Sequence, residues 1–255
     1  MSSMEPNSSA HAQRGFTFVE VAVVLTIVGL MTWAVTSAYA NSTALRDRDR
    51  AVHLGEALRE AVRAFALVHR HLPCPDTDGD GWAGGVGGAC TVTVQAGGFP
   101  YRSLGLDVPD DRYRAAYLVY RRSSVVPSQD ADLAVRQERT GNAPGDPAYQ
   151  DMRDLIVALA NAANDSPSTL RARLTGNDGT DGPVDCTLNV RSHPSFVLVL
   201  PLEARSANGS RFETPHAIGA ACAWAPGTAS TQARDDVVIA EPLTALSGWL
   251  AARAS

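Results

Sequence analysis

The chain has 255 residues, which allows one ordinary domain of about 100–200 residues in addition to a targeting or membrane segment. Its formal net charge is -5, 19% of its residues are charged, and arginine supplies every basic side chain because the sequence contains no lysine. This balance, without a run of like charge or a stripe of basic and aromatic residues, argues against nucleic acid as a partner.

A long apolar segment near the N-terminus contains a single acid. The sequence Gly-Phe-Thr-Phe-Val-Glu at 15–20 leads into an apolar run that ends at Ala40, and Glu20 is the only formally charged residue at 16–40. About 20 apolar residues suffice to cross a bilayer. A carboxylate in hydrocarbon costs a few kcal/mol or more, so an ionisable residue within a span is a functional hypothesis by default.

The sequence at 15–20, followed by this apolar run, resembles the N-terminal signature of type IV pilins and pseudopilins. The resemblance implies that a prepilin peptidase cleaves after Gly15 and that Phe16 becomes the methylated mature N-terminus. It also implies that the carboxylate of Glu20 meets the N-terminal amine of a neighbouring subunit during assembly. A charge that is expensive alone in an apolar environment is tolerable when it is paired.

The resemblance covers about a tenth of the chain, and it also implies a fold and a location. The fold class is α+β, with a long N-terminal helix, half transmembrane and half amphipathic, packed on a globular head with an antiparallel β-sheet. The expected domains are a leader peptide at 1–15, a transmembrane and assembly helix at 16–40, its amphipathic continuation at 41–72 and a periplasmic head at 73–255. The protein is then a single-pass protein of the bacterial inner membrane that enters a surface or periplasmic filament.

The resemblance implies four kinds of partner: other pilin or pseudopilin subunits, the prepilin peptidase, an inner-membrane assembly platform and the membrane itself. Many pilins have a kinking proline in the helix, whereas this chain has none and carries Ser37 in that region. This departure favours a minor pilin or pseudopilin over a major fibre subunit. Whether the machine is a pilus, a type II secretion system or a DNA-uptake system stays open.

Two other interpretations of the apolar segment are a plain membrane anchor and a secretory signal. Ala38-Tyr39-Ala40 is an acceptable A-x-A cleavage site, and cleavage after Ala40 would yield a soluble or membrane-anchored periplasmic binding module. The apolar core of a signal peptide normally has about 7–15 residues, whereas this segment is longer and carries an acid. Neither interpretation explains why Glu20 lies five residues after a glycine.

The helix is expected to continue beyond the apolar segment to about residue 71. Apolar residues recur near helical spacing at 41–69, with charged residues between them, and proline is absent until Pro73. Gly55 is the one residue in this stretch with a markedly low helix propensity. The predicted apolar positions are Leu45, Val52, Leu58, Val62 and Phe65.

An acidic segment follows the two prolines that end this helix. Asp76, Asp78 and Asp80 have the D-x-D-x-D-G spacing of a calcium loop, with Gly81 at the turn, and carboxylate oxygens suit a hard cation. Gly87 stands where such a loop has its bidentate Glu, so the ligand set is incomplete. The alternative is a turn whose side chains cap their own backbone. Calcium is therefore the candidate cofactor of this loop, and both interpretations stay open.

The four cysteines, Cys74, Cys90, Cys186 and Cys222, are an even number in a segment expected outside the cytoplasm, where disulfides are the default. Three pairings are possible. Local pairing, Cys74 with Cys90 and Cys186 with Cys222, is the simplest. A zinc site is the alternative, although no C-x-x-C spacing supports it.

The remainder of the head predicts strands with two further helices, an α+β pattern. Helices are expected at 149–161 and 243–252, and exposed loops at 123–147 and 176–183. The predicted strands are 91–94, 115–120, 187–190, 196–200 and 236–239, with 221–224 as an edge strand.

The sequence contains no familiar catalytic motif. A G-x-S-x-G elbow, a Walker loop and an H-E-x-x-H helix are all absent. Ser195 and His193 are close in sequence, but chance supplies such pairs in most chains of this length, and a triad is recognised by its geometry. Asp235 and Asp236 are expected to cap a strand. The prediction is therefore a protein that is not an enzyme.

Overall fold

The computed structural model describes residues 17–176, 186–187, 189–202, 211–213, 215–228 and 235–253. The expected leader, Gly15 and Phe16 lie outside these residues. The chain divides into two compact units, Met1–Arg46 and Asp47–Ser255. A single helix, α1 (Phe18–His69), contributes its first part to one unit and its second part to the other.

The first part of α1 contains hydroxyl side chains on an otherwise apolar surface. The Thr26 hydroxyl donates a hydrogen bond to the Ala22 carbonyl oxygen at 2.8 Å, and the Thr32 hydroxyl donates to the Val28 carbonyl oxygen at the same distance. The Thr36 hydroxyl likewise donates to the Thr32 carbonyl oxygen at 2.9 Å. Because these hydroxyls are satisfied within the helix, they are compatible with an apolar environment.

The described part of the head contains two sheets and two further helices, α2 (Met152–Ala163) and α3 (Leu243–Ala251). One sheet is antiparallel throughout, with strand order β1-β2-β5-β7, and the other has the order β4-β3-β6. The second sheet is mixed, since β3 pairs with β4 antiparallel and with β6 parallel. The strands are β1 (Ala96–Gly98), β2 (Ala116–Val119), β3 (Arg173–Thr175), β4 (Val190–Ser192), β5 (Pro194–Leu200), β6 (Cys222–Trp224) and β7 (Val237–Pro242).

The antiparallel sheet is covered on both faces, which explains why β5 is a continuous apolar run. Phe196, Leu198 and Leu200 belong to a core that also contains residues of α1, α2 and α3. The alternate residues Val197 and Val199 belong to a second core shared with the smaller sheet. Successive strand residues point to opposite faces, so both sets must be apolar. The predicted α+β fold, a long N-terminal helix followed by a head with an antiparallel sheet, is confirmed.

The buried stripe of α1 differs from the predicted one. Leu58 and Val62 are buried as expected, but Leu45 and Val52 are exposed. The other buried positions are occupied by small residues, namely Ala51, Gly55 and Ala66. A Cβ at Gly55 would overlap the side chains of Ile239 on β7 and Leu200 on β5. A side chain at position 55 would therefore displace the ends of the Ile239 and Leu200 side chains.

Several other elements differ from expectation. Residues 91–94 form a turn rather than a strand, and the strand predicted at 187–190 lies at Val190–Ser192 (β4). The three-residue strands β1 and β3 were not predicted. Residues 123–147 are only partly an exposed loop, because 130–134 are buried. The reason is a pair of arginines that neutralise the acids of this segment.

Arg121, which is fully buried, donates from Nε to Asp132 Oδ1 at 2.9 Å and from Nη2 to Asp132 Oδ2 at 2.8 Å. Arg139 donates from Nε and Nη2 to Asp130 Oδ1 at 3.0 and 2.6 Å. Buried charges of this kind are tolerated only when they are paired and hydrogen-bonded. The Arg121–Asp132 pair ties the loop to the residues that follow β2, and the Arg139–Asp130 pair joins two residues of the loop itself.

The cysteines form two disulfides, Cys74–Cys90 and Cys186–Cys222, which is the local pairing. The sequence separations are 16 and 36 residues. The Cys74–Cys90 bridge ties the segment that follows α1 to the segment that precedes β1.

Removing the Cys74–Cys90 bridge with paired serine substitutions is expected to lower the free energy of unfolding by about 3 kcal/mol. The bridge restricts the unfolded chain, and a longer loop loses more entropy on closure. Paired serines at 186 and 222 should therefore destabilise by about 0.7 kcal/mol more. Thermal unfolding followed by circular dichroism measures both. A midpoint in either variant that equals the wild-type value would contradict the expectation.

Candidate assembly site at the helix N-terminus

Glu20 is hydrogen-bonded to Thr17 at the start of α1. Its Oε2 accepts from the Thr17 backbone N–H at 2.9 Å and from the Thr17 hydroxyl at 3.1 Å. In return, the Thr17 hydroxyl oxygen accepts from the Glu20 backbone N–H at 3.3 Å. This reciprocal arrangement is a capping box, in which two backbone donors of the first turn are satisfied by side chains.

The capping box gives Glu20 a local partner that sequence reasoning missed. The pattern Thr-x-x-Glu before an apolar run is its signature and was visible in the sequence. A carboxylate in the first turn also interacts favourably with the helix dipole. Glu20 is exposed, so its carboxylate remains accessible to a second molecule. The structure therefore shows one function of this acid, helix capping, and leaves its predicted pairing with an amine as a proposal.

The apolar surface next to Glu20 is uncovered. The exposed fractions of the side chains are 89% for Phe18, 67% for Leu25 and 70% for Trp33. At about 1.5 Å per residue, the apolar segment at 16–40 measures about 37 Å, against about 30 Å for the hydrocarbon of a bilayer. In the part of the chain that the structure describes, α1 alone is long and apolar enough to cross a membrane, judged by length and composition.

The acidic loop after α1 is organised by hydrogen bonds to its own backbone. Asp76 Oδ1 accepts from Gly79 N at 2.7 Å, and Asp76 Oδ2 accepts from Gly81 N at 2.8 Å. Asp80 Oδ1 accepts from Trp82 N at 2.7 Å. The structure brings Asp76, Asp78 and Asp80 within reach of one ion. The hydrogen bonds account for the turn without a cation, and calcium at this loop stays a prediction.

The two side chains that suggested a catalytic pair are engaged separately. The Ser195 hydroxyl donates to the Glu241 carbonyl oxygen at 2.9 Å. His193 Nε2 accepts from Ser168 N at 2.9 Å, so Nδ1 carries the proton and donates to the Ala172 carbonyl oxygen at 2.9 Å. These contacts hold strands and loops together, and they do not form a nucleophile–base pair.

Comparison with known proteins identifies the N-terminal segment. The family described as prokaryotic N-terminal methylation motif matches residues 10–36. Fimbrial proteins of Neisseria meningitidis serogroup A (serotype 4A) and serogroup B are each 34% identical to this chain over 65 residues. The match covers 26% of this chain and 38% of each relative, so the chain spans well under half the length of the curated relatives it matches.

No solved structure matches the chain. The family match contains Gly15, Phe16, Thr17 and Glu20, and it ends before the head begins. The chain therefore carries a prokaryotic N-terminal methylation motif at residues 10–36 and is similar over 65 residues to two fimbrial proteins, and both matches are consistent with the resemblance of its N-terminus to type IV pilins.

Proposed function

We propose that this protein is a minor pilin or pseudopilin, a structural subunit of a type IV pilus or of a type II secretion-like filament. The observation that carries the proposal is a lone acid, Glu20, at the start of an uncovered apolar helix within a matched methylation motif. The prepilin peptidase cleaves after Gly15 and methylates Phe16. The mature helix then assembles with the helices of sister subunits.

The exposed apolar surface of α1 supports this proposal, because such a surface is unfavourable in water and is expected to contact lipid or other helices. An exposed apolar helix is stable in lipid or against other helices, since its backbone polar groups are satisfied internally. We propose that residues 16–40 occupy the inner membrane before assembly and a helical filament core after it. Residues 41–72 and 73–255 then lie in the periplasm as helix continuation and head. The assembly platform of the inner membrane is the partner that transfers the subunit.

Glu20 has a defined role in this proposal. Its carboxylate has only Thr17 as a hydrogen-bond partner among the described residues, and Thr17 carries no charge. The N-terminal amine of an adjacent subunit supplies the opposite charge and fixes the axial position of one helix against the next. Removing one partner of an ion pair in an apolar core is strongly destabilising, because the other charge is left buried and unpaired.

The continuity of α1 counts against the alternative, a periplasmic binding module released after Ala40. Cleavage there would cut within a helix that runs without a break from Phe18 to His69. It would also leave the Thr17–Glu20 capping box and the methylation motif without a function.

The mass of the mature N-terminus is expected to show methylated Phe16. Protein purified from membranes is digested with a protease that does not cleave next to Phe16, and the N-terminal peptide is sequenced by mass spectrometry. A Gly15→Ala variant serves as the control and should retain the leader. An unmodified N-terminus at Asn41 in the wild-type protein would support the binding module instead.

A further inference from the structure

Two valines are exposed at the apex of a loop that follows β2. Val125 is 100% exposed and Val126 is 42% exposed. The sequence at 123–129, Ser-Ser-Val-Val-Pro-Ser-Gln, carries no charge. An uncharged apex of this kind can enter an apolar pocket of another molecule without burying an ionised group. We call residues 124–127 the valine tip.

Hydrogen bonds hold the valine tip in one conformation. The Ser124 backbone N–H donates to Asp130 Oδ2 at 3.0 Å, and the Val126 backbone N–H donates to Ser124 Oγ at 3.1 Å. The Gln129 backbone N–H donates to the Val126 carbonyl oxygen at 3.0 Å. Arg122 Nη2 donates to the Gln129 carbonyl oxygen at 3.0 Å. A loop that is fixed in this way loses little conformational entropy on binding.

An apolar pocket of about 120 Å³ lies between α1 and the end of β5. Leu54 and Tyr113 line it and are 37% and 42% exposed, so the pocket is open to a second molecule. Its two charged residues, Asp47 and Arg50, pair with each other at 3.6 Å. An apolar cavity of about 150 Å³ is large enough to bind benzene. This pocket, which we call the Leu54 pocket, therefore has room for the three-carbon side chain of one valine.

The valine tip and the Leu54 pocket lie at opposite ends of β5. The Tyr120 backbone N–H donates to the Ser195 carbonyl oxygen at 3.0 Å, so the loop that carries the tip leaves the sheet beside the start of β5. The pocket is lined by Leu200 and the two residues that follow it, at the other end of this strand. A strand of seven residues measures about 20 Å. The tip of one molecule therefore cannot fill the pocket of the same molecule.

We propose that the valine tip of one subunit inserts Val125 into the Leu54 pocket of the next copy of this chain. This inference rests on the proposed function, because assembly places two copies next to each other. The tip and the pocket are different surfaces, so the contact is heterologous, and repeated heterologous contacts produce an open helical array. A pocket of this size is too small for a stable interface by itself. The contact acts between subunits that their helices already hold at a high local concentration.

Cross-linking of introduced cysteines in intact cells tests the contact. The native cysteines are all in disulfides, so a bis-maleimide reagent reacts with the new thiols alone. The full-length double variant Val125→Cys and Leu54→Cys should give a ladder of dimers and larger species on a non-reducing denaturing gel. Each single variant should stay monomeric, because a heterologous contact does not bring two copies of one residue together.

The matched control for this ladder is the double variant Val125→Cys and Leu170→Cys. Leu170 is 74% exposed but does not line the Leu54 pocket. We expect no ladder from this variant. Circular dichroism of each purified variant in detergent establishes that it is folded, as expected for substitutions at exposed side chains.

Exchanged charges provide the second measurement. Val125→Glu places a carboxylate in the apolar pocket, so incorporation into filaments should fall by about tenfold or more. Leu54→Arg should have a similar effect. The two substitutions together should restore incorporation, because the new acid meets the new base across the contact. Leu170→Glu is the control and should leave incorporation unchanged.

The outcomes separate this contact from the proposed function. Absence of the ladder in cells whose wild-type protein enters filaments would overturn the contact and leave the proposed function standing. A ladder in cells whose wild-type protein does not enter filaments would support the contact and contradict the proposed function, and absence of both would contradict both. A dimer formed by Val125→Cys alone, or a ladder formed with Leu170→Cys, would overturn the head-to-tail arrangement.

Discussion

Replacing Glu20 with glutamine is expected to abolish incorporation into filaments while membrane insertion continues. Glutamine keeps the hydrogen-bonding geometry of the capping box, since Glu and Gln serve equally at its third position. It removes the negative charge, and an amine buried without its partner destabilises by about 3–5 kcal/mol, a loss of at least about a hundredfold in association. Comparing the protein in sheared filaments with the protein in membranes measures the effect.

Two further substitutions separate charge pairing from helix capping. Thr17→Ala removes the cap but keeps the carboxylate, so it should lower helix stability by about 1 kcal/mol and leave incorporation largely intact. Glu20→Ala removes both functions and should behave as Glu20→Gln does in assembly. If Glu20→Gln assembled at the wild-type level and Thr17→Ala did not, the acid would act as a cap alone. That result would contradict the role proposed for Glu20.

Replacing Asp132 with leucine is expected to lower the free energy of unfolding by about 3–5 kcal/mol, because it leaves Arg121 charged and buried without a counter-ion. Both members of the pair are buried, with side-chain exposures of 0% for Arg121 and 4% for Asp132. A loss of this size is a large fraction of the stability of an ordinary domain, which is about 5–15 kcal/mol. Thermal unfolding of the full chain in detergent measures it.

The double substitution Arg121→Met and Asp132→Leu tests the cause. Removing both charges should restore much of the lost stability, since an apolar pair of similar volume often substitutes for a buried ion pair. The exposed pair Asp47–Arg50, at 3.6 Å, is the matched control, and Asp47→Ala should change stability by no more than about 1 kcal/mol. A double variant that is as unstable as Asp132→Leu alone would show that packing, rather than the unpaired charge, is responsible.

The parts of the fold that follow from local sequence were predictable. The apolar run at 196–200 identifies β5, and the helical spacing of Leu58 and Val62 identifies the buried face of α1. The small residues Ala51 and Gly55 at buried positions of that face were not predictable. Their size depends on how closely the helix approaches β5 and β7. The apolar spacing of one helix carries no information about that distance.

Features built from distant residues could not be predicted in the same way. Residues 130–134 look like a polar loop, and only the pairing of Asp132 with Arg121 and of Asp130 with Arg139 makes their burial possible. Asp235 and Asp236 were expected to cap a strand. Their proximity to Glu213 arises from tertiary structure.

The hydroxyl groups of α1 have a consequence for the reversibility of assembly. Thr26, Thr32 and Thr36 donate to carbonyl oxygens of their own helix, so they require no partner from lipid or from protein. Transfer of this helix between a bilayer and a bundle therefore breaks none of these hydrogen bonds. The difference in free energy between the two environments then depends mainly on side-chain packing and on Glu20. In the proposed assembly, these hydroxyl groups therefore neither favour nor oppose the return of a subunit to the bilayer.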